Sequence, residues 1–435
     1  WATVILKADE NGNLPSIGAF NLTGSTHSLQ IDGGTVDALS VTGDVRLASM
    51  GETDFFSGFA NGYTFGSLTL NGGAPVIKDA ASLTAGAVQN ANGSKLKIAN
   101  VEAVELGSLS SGNAGSSVTV EGAEALTVSD RMYFSNGTGN FLFADGGTGA
   151  ITNLTVASSA VSLCFSNAAS LAFGTIEYGG GIGTRIVDCD AVTVDEMSTV
   201  SSGTITFDNV GDVAFRKTYV PNSNGLLGNQ VALRIEGNVQ DEYLPRVVFK
   251  GDTRVVTGST GDGKDGMIAV AAAQNNKTTR ARGILDIRDG AQVNSGVCIG
   301  NCGSYTRQAG AVYISGEDTV LNSVVSNRCT IGDNGNYGYI GMRSGTFNSN
   351  SGDQWMFARG GGRGSYVLYG GTFSRTVGTI TLTRPNNWAE SDTDAFQSHS
   401  KFIVFGGTAT NSGGELRAFR ENMARAEREH GVLLA

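Results

Sequence analysis

Short bursts of alternating apolar and polar residues recur along this chain, each followed by a small or polar pair and then a second alternation. The clearest copies lie in residues 96–215. Leu96-Lys97-Ile98-Ala99-Asn100 is followed by Val104-Glu105-Leu106, and Val118-Thr119-Val120-Glu121-Gly122 by Leu126-Thr127-Val128. The phrase returns as Leu163-Cys164-Phe165-Ser166-Asn167, as Val187-Asp188-Cys189 and as Ile205-Thr206-Phe207-Asp208-Asn209, with a weaker copy at Phe141-Leu142-Phe143. Alternation with period two describes a strand with one face buried. The anchors Ile98, Val120, Phe143, Phe165, Val187 and Phe207 step by 22, 23, 22, 22 and 20 residues. A fixed period of this size marks a solenoid.

A strand of four or five residues cannot bury its apolar side alone. Stacking each coil on the last, about 4.8 Å away, pairs every backbone N–H and C=O and lines equivalent side chains into interior ladders. Because each coil repeats the direction of its predecessor, the strands are expected to be parallel. Asn100, Gly122, Asn167 and Asn209 stand at the bends, and these residue types tolerate a left-handed backbone. The spacing thus predicts an all-β, single-stranded right-handed parallel β-helix with a short C-terminal α-helix.

The rhythm changes along the chain. Residues 1–215 read as coils of about 22 residues, residues 216–232 as a turn-rich insertion, and residues 233–412 as coils of about 27. In the second register Val293, Val320, Phe347 and Phe373 form the expected ladder. Phe55, Phe56, Phe59, Tyr63 and Phe65 crowd among glycines and read as a loop or irregular coil over the core. Residues 269–279 read as a short helix, and residues 258–266 as a glycine loop. Residues 413–435 hold the expected C-terminal helix, with Leu416, Phe419, Met423 and Ala426 as an apolar stripe and opposite charges four apart. That stripe is expected to cap the last coil or to contact another subunit.

Composition agrees with many short strands and tight turns: 63 glycines against five prolines, with hydrophobic residues at 40% and charged ones at 16%. The net charge is −10, without a run of Lys or Arg, which disfavours nucleic acid and anionic membranes as partners. No apolar run approaches the ~20 residues of a membrane span. The chain opens on Trp1 without a basic-then-apolar leader, as a processed or truncated product would.

The two registers, the Gly-Gly-Thr corners at Gly371 and Gly407, and the Asp-Gly turns at Asp32 and Asp289 resemble the right-handed parallel β-helices of bacterial surface proteins. The likeness is greatest to autotransporter passenger domains and related adhesins. It covers nearly all the chain, but as a pattern, and no membrane-barrel segment follows it here. The resemblance implies an extracellular or cell-surface location in a bacterium. It also implies a non-catalytic job as an adhesin, or as a coat or fibre component that contacts glycans or its own copies, with oligomers as one form.

The same fold also resembles pectin-cleaving enzymes, so a polysaccharide lyase or glycoside hydrolase is the leading alternative, and a phage-spike-like trimer the second. Hydrolysis of that kind would use grouped aspartates and a histidine flanked by glycines, a setting that His27, His399 and His430 lack. Asp188, Asp190, Asp195, Glu196, Asp208 and Asp212 fall on successive coils, as exposed turn aspartates also would. Residues 261–266 have the flavour of a calcium loop without its remaining acids, and residues 360–364 of a phosphate loop without its helix. The reading therefore assigns no catalytic, cofactor or metal residues and expects no cofactor. Cys302 and Cys329, one 27-residue coil apart, are expected to stack within disulfide range or to stay thiols, with Cys298 competing for Cys302.

Overall fold

The computed structural model describes the chain except for residues 1, 8, 12–19, 24–26, 33–37, 57–58, 113–114, 136–139, 158–160, 180–182, 201, 217–230, 239–243, 259–265, 272–280, 301–307, 324–328, 334, 350–354, 360–361, 377, 385–398, 413 and 419–435. Among the described residues every regular element is a strand. Apart from a two-residue antiparallel pairing of Gly237 with Arg282 and Asn238 with Ala281, the strands pair in parallel in both compact units, Trp1–Asp195 and Glu196–Ala435, which gives each the β-solenoid architecture.

In Trp1–Asp195 the coils are nearly uniform. Ile77, Ile98, Val120, Phe143, Phe165 and Ile186 are successive partners, which sets steps of 21, 22, 23, 22 and 21 residues. All are buried. The rings interlock as well: Phe141 lies 5.3 Å from Phe165, and Phe165 meets Phe173 edge-on at 5.3 Å. Ala2–Lys7 and His27–Asp32 form a separate parallel pair.

Each coil turns at a residue with a left-handed backbone. Asp79, Asn100, Gly122, Asp145, Asn167 and Asp188 all have φ between 50° and 67°. This conformation aims the corner's own N–H at the next coil, so the ladder continues through the bend. Gly122 donates to the Ala144 carbonyl at 3.0 Å, Asp145 to Ser166 at 3.2 Å and Asn167 to Val187 at 3.1 Å. Side chains reinforce the stack, with the Asn100 amide donating to Asp79 at 3.2 Å and the Asn167 amide to Asp145 at 2.8 Å. Asn and Asp accept this φ at lower cost than other side-chain-bearing residues.

In Glu196–Ala435 the same device recurs with uneven coils. Phe207, Phe249, Ile287, Ile314, Met342, Leu368 and Val404 are successive partners, at steps of 42, 38, 27, 28, 26 and 36. The long steps leave the strand register intact and place the extra residues between strands, where added loop length costs little. Residues 217–230, most of the expected insertion, lie outside the described residues. At the corners, Asn209 donates its N–H to Lys250 and Asp289 donates its own to Ser315. Asn348 donates to Asn322 and Asn322 to Asn294 in a side-chain ladder.

Several expectations need correction. Val187 is not in the ladder: Phe165 pairs with Ile186, and Val187 stands half-buried over Ser166. Likewise Val320 pairs with Gln292, while the buried Leu321 is the rung between Val293 and Phe347. In both cases two apolar residues adjoin, and a slip of one position exchanges the faces of a strand. Ile98, Val120, Phe143, Phe165, Phe207, Val293, Phe347 and Phe373 are buried.

Phe59, Tyr63 and Phe65 are core residues, the latter two within the strand Gly62–Ala91, instead of a loop lying over the core. Within residues 269–279, the start belongs to the strand Met267–Val270, and residues 272–279 lie outside the described residues. The expected C-terminal helix is also revised. Gly414–Ala418 is a strand, with Leu416 paired to Ile380. The open edge of Gly378–Arg384 offers backbone partners, and such pairing overrides helical propensity. Phe419, Met423 and Ala426 lie outside the described residues.

Candidate binding groove

Tyrosines at outward positions of the strands distinguish one face of Glu196–Ala435. In Val312-Tyr313-Ile314 the flanking residues point into the core, so the ring must point out. By the same alternation Tyr339 points away from the buried Ile340. Tyr369 and Phe405 follow Leu368 and Val404, which pair at equivalent ends of successive strands. Exposure is 42% for Tyr313, 51% for Tyr369 and 70% for Phe405.

These side chains form a connected aromatic surface. Tyr313 and Tyr339 lie 5.8 Å apart, and Tyr369 stacks on Phe405 at 5.4 Å with ring planes 15° from parallel. The hydroxyls of Tyr339 and Tyr369 hydrogen-bond. Gly341 makes this possible: a Cβ there would stand 2.7 Å from the Tyr339 ring, so the missing side chain lets that ring lie down against the sheet. Burial first, and then the bond to Tyr369, push the Tyr339 hydroxyl up to about 12.

A groove of about 250 Å³ opens among these rings, lined by Asp286, Arg288, Tyr313, Ser315, Tyr339, Gly341, Arg343 and Tyr369 with Ile314. Its one acidic lining residue, Asp286, is buried and ion-paired with Arg246, with the Arg288 Nε 3.8 Å away. Arg288 Nε also lies 3.7 Å from Asp289. Arg343 is exposed, and among the described residues no carboxylate comes within ion-pair distance of it. The groove thus combines flat rings, hydroxyl donors and one uncommitted guanidinium. Such a site can hold a polar ring-shaped molecule from its faces and edges.

The groove residues were missed in the sequence because strand tyrosines usually read as packing. The usable signal was tyrosine at the polar position of an alternation, in Val312-Tyr313-Ile314 and Tyr339-Ile340.

Other candidates are not brought together. Among the described residues no group of three or more His, Cys, Asp or Glu could hold a metal ion. Asp208 is instead ion-paired with Lys250 at 2.7 Å. Residues 261–265 lie outside the described residues, and Arg363 of the glycine-rich stretch begins the strand Arg363–Leu368.

Cys302 is likewise outside the described residues, as is the Cys329 side chain. In the neighbouring described strands the step is 32 residues. Cys298 Sγ lies 3.3 Å from Thr330 Oγ1, and Ile299 pairs with Ile331. Cys164 and Cys189 are free thiols. No helix among the described residues is long and apolar enough to cross a membrane. Compared with known proteins, the chain matches no protein-family model, no curated protein and no solved structure.

Proposed function

We propose that this protein is a non-catalytic surface β-solenoid, extracellular and bacterial, that holds glycans along the tyrosine-lined face of Glu196–Ala435. The observation that carries the reading is the connected surface of Tyr313, Tyr339, Tyr369 and Phe405 on successive coils, with Tyr339 half-buried and the other three rings exposed. Rings of this kind normally leave water. The weakly positive C–H faces of a sugar pack on the negative face of an aromatic ring, and tyrosine hydroxyls bond the sugar's own. Repetition at each coil suits a polymer, since several weak contacts in one chain add their effects.

A glycan array followed by calorimetry tests this. Binding is expected, and Tyr369→Ala and Tyr313→Ala are each expected to weaken it several-fold without moving the melting temperature. Absence of binding to any glycan would sink the reading. Cleavage of a bound glycan would replace it with the lyase or hydrolase alternative.

Contact between copies is a second reading, favoured by Val404 and Phe405, which are 48% and 70% exposed at the end of the strand His399–Val404 and just beyond it. Sedimentation of the chain against Phe405→Ser checks it. Identical monomeric profiles would exclude self-contact at that position.

A further inference from the structure

Resting on the glycan reading, the groove's charge arrangement points to a narrower ligand class, and we infer that it takes an acidic glycan whose carboxylate docks on Arg343. Three observations lead there. First, charge is distributed unevenly between the units. Trp1–Asp195 carries 18 acidic and 7 basic side chains, a net of −11, whereas Glu196–Ala435 carries 22 and 23, a net of +1. The groove lies in the unit that lacks the acidic excess.

Second, the groove's internal charges are already matched, except one. Asp286 is held by Arg246 and approached by Arg288, and Arg288 is shared with Asp289. Arg343 is the guanidinium left over, exposed at the groove wall. A planar guanidinium presents paired N–H donors that fit a carboxylate, and such charge-assisted bonds are about twice as strong as neutral ones.

Third, Arg343 is bracketed by the stacking surface. It is the register neighbour of Ser315 on one side and Tyr369 on the other, since Met342 pairs with both Ile314 and Leu368. It also acts electrostatically on the Tyr339 hydroxyl. A sugar lying on Tyr339 and Tyr369 therefore places a ring carboxylate within reach of Arg343, while Ser315 and the tyrosine hydroxyls face its neutral oxygens. A neutral sugar offers the guanidinium only uncharged hydroxyl acceptors, which form weaker bonds than a carboxylate.

The test uses the full chain against a panel of uronate polymers, polygalacturonate, alginate and hyaluronan, each beside its carboxyl-reduced counterpart. The polymer backbone is then kept while its charge is removed. At least one acidic member is expected to bind roughly tenfold or more tightly than its reduced form, with affinity falling as salt rises. Arg343→Gln should erase that preference, so that acidic and reduced polymers bind alike, while Arg343→Lys should retain part of it. Equal affinity for acidic and reduced forms would overturn the inference and leave the glycan reading standing. An acidic preference untouched by Arg343→Gln would also overturn it. Failure of every polymer, acidic and reduced, together with a blank glycan array, would instead remove the glycan reading itself.

Discussion

Trp1–Asp195 and Glu196–Ala435 are built from the same strand-and-corner unit, yet one repeats it every 21 to 25 residues and the other at steps from 25 to 42. In the regular unit nearly all the described residues lie in strands and bends, and its net charge is strongly acidic. In the irregular unit the core ladder is just as continuous from Phe207 to Leu368, but the outer face carries tyrosines and arginines. The contrast shows which part of a solenoid is constrained. Interior rungs and corner backbones must recur. The outward positions and the chain between strands are free to vary, and that is where a binding surface can be placed.

The largest expected effect tests the claim that the interior is constrained. Phe165→Asp would leave a charge among Phe141, Phe143 and Phe173, at a cost of several kcal/mol, and should abolish folding. Thr119→Asp, on the other face of its strand, should fold and melt near the parent temperature. Circular dichroism with thermal melts distinguishes them, and equal behaviour would show that the register is misassigned.

Next come the corners, where the two units can be compared at matched positions. Gly122 and Gly251 both have a left-handed φ and both sit against an asparagine side chain. A Cβ on Gly122 would lie 3.0 Å from Asn100 Oδ1, but one on Gly251 would lie 1.9 Å from Asn209 Oδ1. Alanine at either carries the backbone penalty of about 1–2 kcal/mol. Gly251→Ala must in addition displace Asn209, so it is expected to be the more destabilising by chemical denaturation. The reverse order would mean that the corner asparagine moves freely.

A smaller effect concerns alkaline pH. Burial pushes the Tyr178 hydroxyl up to about 12, against a hydrogen bond that Thr184 donates to it. A tyrosine whose folded value lies above its unfolded value of about 10 contributes stability below pH 10 that is lost as pH rises from 10 towards 12. Two units correspond to roughly 2–3 kcal/mol. Tyr178→Phe should therefore flatten the decline of unfolding free energy over that window. An unchanged slope would show that this hydroxyl does not drive it. The smallest stability effects belong to Tyr313→Ala and Tyr369→Ala, expected within about 0.5 kcal/mol because both rings are largely exposed. A larger loss would make the aromatic face structural.

Most of the architecture was legible in the sequence because a stacked fold writes itself periodically. Ile98, Val120, Phe143 and Phe165 could be aligned by counting, and Asn100, Gly122, Asn167 and Asn209 could be placed at bends, where their backbones are indeed left-handed. Counting failed where neighbours were chemically alike. Only the pairing of Ile186 with Phe165, and of Leu321 with Val293, decided which residue of each apolar doublet faces inward. It failed again at Leu416, where a helical stripe gave way to an available strand edge. The groove was out of reach for a different reason. Tyr313, Tyr339, Arg343 and Tyr369 are spread over some sixty residues and meet only because their coils stack, with Gly341 leaving space for a ring. Periodicity is a local property of the chain, so the sequence determined the repeating strand and its corners. Which outward side chains share a surface depends on coil lengths that vary from 25 to 42, and only the tertiary register decided that.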